Sequence, residues 1–119
     1  VPVVAAAVTV FVHELAHEMG SPQVATVGKL NLHPDLVNVV PARATLTVDL
    51  RNTDEDRLQY AEQRLQTRLD ELATSHDVEI TTRSPLRWAK TAAGKMSKIA
   101  SNAKIHLRML FFSLITQLQ

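Results

Sequence analysis

"ARATLTVDLRNTDEDRLQYAEQRLQTRLDEL", residues 42 to 72, decides the fold, because its apolar periodicity changes once within a single stretch. Up to Arg51 the period is two. Ala44, Leu46, Val48 and Leu50 fall on one side, and Arg43, Thr45, Thr47, Asp49 and Arg51 on the other. This predicts a strand over 42–51 with one face on a core and one face polar and open. Beyond it, Leu58, Ala61, Leu65, Leu69 and Leu72 recur at helical steps and form one buried stripe. Thr53 as N-cap, Asp56 at the third helical position, and Asp54 and Glu55 in the first turn predict the helix start. Arg57, Glu62, Arg64, Arg68 and Glu71 are expected in solvent.

On the N-terminal side, residues 23–33 alternate loosely and read as a strand in which Gly28 marks a bulge. His33-Pro34-Asp35 is turn chemistry, so 23–33 and 42–51 make an antiparallel hairpin. Further back, Val4, Val8, Phe11, Leu15 and Met19 give a helical stripe over 3–19, ended by Gly20 and Pro22. After the second helix, 77–83 reads as a strand. The order helix, strand, strand, helix, strand is that of an α+β, ferredoxin-like two-layer sandwich. Two helices lie on one face of an antiparallel sheet, and the first strand is missing. Ile99 to Leu118 is read as an extra C-terminal helix. The chain therefore divides into a sandwich over 1–84 and a basic extension over 85–119, helical or poorly ordered.

The 119 residues suffice for one compact domain. Apolar content of 45% and charged content of 21% are those of a soluble globular domain. The absence of cysteine excludes disulfides, thiolate metal sites and cysteine catalysis, and fits a reducing compartment; the cytoplasm is the expected location. The net charge of +1 conceals an asymmetry: every acidic residue precedes Thr81, and only basic ones follow. A basic tail offers a second class of function, a non-enzymatic module touching nucleic acid or membrane through Lys95, Lys98, Lys104 and Arg108. These cations are spaced out and nearly without aromatic neighbours, so neither partner is expected. The apolar run Met109 to Leu118 is about half of the roughly 20 residues that span a bilayer.

A third class is written in residues 11–20, FVHELAHEMG, where His13-Glu14-Leu15-Ala16-His17 spells H-E-x-x-H. Histidines four apart share a helix face and can hold one zinc ion, with Glu14 as general base. The alternative reading is thus a small zinc metalloprotease on His13, His17 and Glu14. It lacks a third ligand. The extended motif puts that ligand at position 23, which is Gln23, and Glu18 points about 100° away around the helix. The motif is therefore expected to be a helix end.

Gln23 to Asn52 carries a more specific signal. Val24-Ala25-Thr26-Val27-Gly28, Asn38-Val39-Val40-Pro41 and Thr47-Val48-Asp49-Leu50-Arg51 resemble the pattern VATVGxL…PxxxNVIPGxVxxTxDLR. That pattern belongs to the lid, or dimerisation, domain of the metal-dependent aminoacylase and carboxypeptidase-type peptidase superfamily, which this stretch resembles. The match is closest to its N-carbamoyl-L-amino-acid hydrolase and allantoate amidohydrolase branch. The resemblance covers about residues 5 to 83. It implies that 1–84 is a partial lid domain of a hydrolase of linear amides, inactive alone. It implies a homodimer through an edge strand and the adjacent helix, and a small N-carbamoyl or ureido substrate. Asn38 and Arg51 would be the substrate-binding residues, with no catalytic residue in this chain. No cofactor is implied here; two divalent metals, zinc or manganese, would sit in the family's catalytic domain. The sequence departs from the family at Val3-Val4-Ala5-Ala6, where a charged stretch is usual, and after Arg108-Met109, where a histidine and aspartate are usual.

Overall fold

A computed structural model describes residues 1–83 and the backbone of 104–113. Helix α1 (Pro2–Met19) is followed by β1 (Val24–His33), β2 (Arg43–Asn52), α2 (Glu55–His76), β3 (Glu79–Arg83) and β4 (Lys104–Ser113). The predicted elements from 3 to 83 all appear, with ends displaced by a few residues. α1 has proline in its first turn, where no amide hydrogen is needed, and it stops at Gly20, whose φ of 70° suits a residue without Cβ. α2 is capped by Asp54, one residue beyond the expected Thr53. The Asp54 carboxylate accepts from the amides of Asp56 at 2.9 Å and Arg57 at 3.3 Å.

The core lies between the helices and one face of the sheet. Val4, Ala5, Val8, Val12 and Leu15 of α1 meet Ala44, Leu46, Val48 and Leu50 of β2 and Leu58, Ala61, Leu65, Leu69 and Leu72 of α2. The period-two and helical stripes of the sequence are these buried sets. Glu62, expected in solvent, is buried on α2. β1 and β2 pair antiparallel as predicted, with the register slipping between Val27 and Lys29, so that Gly28 sits in a bulge.

The expected extra C-terminal helix is corrected over Lys104–Ser113, which is a strand; the rest of Ile99 to Leu118 lies outside the described residues. The sheet order is β1-β2-β4-β3, and β4 runs parallel to both neighbours. The physical reason is in the topology. β2-α2-β3 is a split βαβ unit, and its two strands leave one strand's width between them. That is the place of the missing first strand, and β4 fills it. Ile105, Leu107, Met109 and Phe111 stand level with the core positions Ala44, Leu46, Val48 and Leu50. The run Met109 to Phe112 is continuously apolar, as befits a central parallel strand. A short apolar run of this kind reads as a buried helix segment as readily as a strand.

Candidate functional site

Arg51 lies near the end of β2 on the helix-free face, level with Val24 of β1. Strand alternation puts Asp49 on the same face, and the two side chains meet. Arg51 Nε donates to both carboxylate oxygens of Asp49 at 3.1 Å, and a terminal nitrogen donates to Oδ2 at 2.8 Å. The hydrogen bonds, and then the charge of Asp49, hold the Arg51 guanidinium above its ordinary pKa. The fork thus has the geometry of carboxylate recognition, and a carboxylate of the same chain is already in it.

Asn38 is exposed in the turn between β1 and β2, beyond His33 and before Arg43. The structure does not bring it to Arg51. Arg43, where that loop rejoins the sheet, is eight residues from Arg51 in a continuous strand, roughly 25 Å at about 3.3 Å per residue. The two residues mark opposite ends of the hairpin. The loop around Asn38 carries four exposed apolar side chains, Leu36, Val37, Val39 and Val40.

His13 and His17 are exposed one turn apart on α1, their rings edge to face with centroids 4.6 Å apart. Among the described residues no three of His, Cys, Asp and Glu gather closely enough to hold a metal ion. The H-E-x-x-H reading therefore finds no third ligand there. What α1 does offer near this point is Glu18, which takes a bidentate pair of bonds from Arg64 of α2 at 3.1 and 3.0 Å. Arg64 also sits over the rings of Phe11 and Tyr60, 5.9 and 5.8 Å from their centroids. Its hydrogen bonds to Glu18 and Tyr60 raise its pKa, and its bonds to Glu18, with its charge, lower that of Glu18.

One network was missed by sequence reasoning. Asn52 is fully buried and donates to Gln23 Oε1 at 2.8 Å, while Gln23 donates to the carbonyl of Val24 at 2.9 Å. Asn52 Oδ1 accepts from the amide of Asp54 at 2.9 Å. Three segments are fixed together beneath Arg51: the start of β1, the end of β2 and the cap of α2. Asn52-Thr53-Asp54 has the spacing of an Asx turn, which is the signal that could have revealed it.

Over 102 residues the chain is 30% identical to the allantoate amidohydrolase of Escherichia coli strain K12. This chain is similar to part of an amidohydrolase. The match takes in 82% of the chain and 25% of that enzyme, so the chain spans about a quarter of its curated relative's length. The similarity to the allantoate enzyme links the chain to the hydrolases. No family model matches the chain, and no solved structure matches it. Among the described residues no helix is long and apolar enough to cross a membrane.

Proposed function

We propose that this chain is the lid and dimerisation portion of a metal-dependent hydrolase of linear amides, of the N-carbamoyl amino acid or allantoate type. The observation that carries the reading is the match of most of the chain to one quarter of an allantoate amidohydrolase. Arg51 anchors the substrate carboxylate, competing with Asp49 for the planar fork. Asn38 orients the amide or ureido group, since its side chain both donates and accepts. The length of the hairpin keeps Arg51 and Asn38 of one copy off the same small substrate. A shared substrate would therefore take Arg51 from one copy and Asn38 from another.

The two divalent metals implied by the resemblance do not fit the described residues, which gather no set of three ligands. They belong to the remaining part of such an enzyme, and the chain alone is expected to be inactive. Its own contribution is to bind and orient.

Pairing of two copies is favoured by β1, an edge strand with open backbone groups, and by the helix packed against it. Val3 and Val10 of α1 are 67% and 54% exposed, and Leu30 of β1 is 43% exposed. Sedimentation velocity on the purified chain tests this part. A dimer is expected, and Val10→Asp is expected to shift it to monomer. A wild-type chain that stays monomeric at high concentration would contradict the reading.

A further inference from the structure

The strand order gathers cations that the sequence spreads over eighty residues. On the helix-free face, Lys29, Thr47, Arg108 and Arg83 stand level in one row across all four strands. His33, Arg43, Lys104 and Glu79 form a second row, four residues further along. The row between them holds only hydroxyl, amide and imidazole residue types. The chain as a whole carries +1, yet Glu79 is the one acid in these rows. Arg43 is level with Lys104 on the adjacent strand, and Arg83 with Arg108. Like charges directly opposite one another destabilise a sheet. Lys29, Arg43 and Arg83 are exposed and make no ion pair among the described residues. A face that gathers five Lys and Arg positions around one acid attracts a polyanion.

We propose that this sheet face binds the phosphodiester backbone of a single-stranded nucleic acid. Strand spacing of about 4.8 Å makes the patch roughly 14 Å wide, and four residues at about 3.3 Å make it roughly 13 Å long. That accommodates a few successive phosphates of an extended strand. The rows contain no Phe, Tyr or Trp, and only the imidazoles of His33 and His106 offer a ring, so binding is driven mainly by phosphate contacts and is largely indifferent to base sequence. The three rows contain no apolar residue to enter a bilayer, Leu110 and Phe112 standing beyond them level with Asp49 and Arg51, and vesicles are therefore one arm of the test. In the sequence Lys104 and Arg108 read as members of a dispersed basic tail, which is why a nucleic-acid partner was raised there and not expected. β4 sets them beside Arg43 and Arg83. The proposal does not depend on the hydrolase reading.

The test is fluorescence anisotropy of a short labelled oligothymidylate with the full chain at rising salt. Affinity is expected to fall with salt, with a log–log slope of about −0.7 for each phosphate contacted. Arg43→Gln with Arg83→Gln is expected to weaken binding at least about tenfold and to flatten the slope by about one unit or more. Arg68→Gln, on α2, is expected to change neither. If the first pair fails to fold by circular dichroism, Lys29→Gln with Lys104→Gln takes its place with the same expectation. Absence of salt-dependent binding, or an equal loss in Arg68→Gln, would overturn the proposal. So would equal binding to phosphatidylserine vesicles or polyglutamate, which would make the face a general anion surface.

Discussion

Asn52 is buried where β2 gives way to the cap of α2, and its amide has a partner on each side. Replacing it with alanine leaves Gln23 Oε1 and the amide of Asp54 without those bonds. Asn52→Ala is therefore expected to cost about 1–3 kcal/mol, read as a lower urea midpoint with an unchanged slope. A change within about 0.5 kcal/mol would mean the network contributes little. Glu18 makes a different kind of prediction. Its carboxyl is held below the ordinary range by Arg64, so its stabilisation is full above the unfolded-state pKa and is lost as pH falls through the folded one. The pair is exposed, so the effect is small. The difference in melting temperature between wild type and Glu18→Gln is expected to be present at neutral pH and to vanish in acid. A difference that persists well below the carboxylate range would assign it to packing. At this scale residue types were legible and partners were not. Arg51 was expected on the open face and is there, whereas the burial of Asn52 depends on Gln23, 29 residues away in sequence.

At the scale of elements, α1 through β3 could be read from local periodicity alone, because each is amphipathic in its own right. β4 could not. Lys104 to Met109 alternate as β2 does, but the continuously apolar run Met109 to Phe112 that follows hides the period, and the strand's partners lie far away in sequence. Its importance follows from its position, with Arg43 to Asn52 paired on one side and Glu79 to Arg83 on the other. A chain ending at residue 103 would leave β3 without its sheet neighbour and β2 with an open edge. Such a truncation is expected to lose cooperative thermal unfolding by circular dichroism. If it melts as sharply and at the same temperature as the full chain, β4 is not part of the stable sheet.

For the molecule as a whole, the two-layer sandwich sets the functional reading. The sheet holds Arg51 at one end of a hairpin and Asn38 at the other, and the helices cover the opposite face. The α+β class was legible because two helices and three strands each announced themselves, and the separation of Asn38 from Arg51 was implicit in the predicted hairpin, whose turn holds one and whose far end holds the other. The most direct measurement uses a chimera in which residues 1–83 replace the matching segment of the E. coli allantoate amidohydrolase. Allantoate hydrolysis by the chimera is compared with that of its Arg51→Ala and Arg51→Lys variants. The lid reading predicts an active chimera in which Arg51→Ala raises KM about 10- to 100-fold, the worth of a charge-assisted bond, with partial recovery in Arg51→Lys. An active chimera whose KM and kcat are indifferent to Arg51 would contradict it.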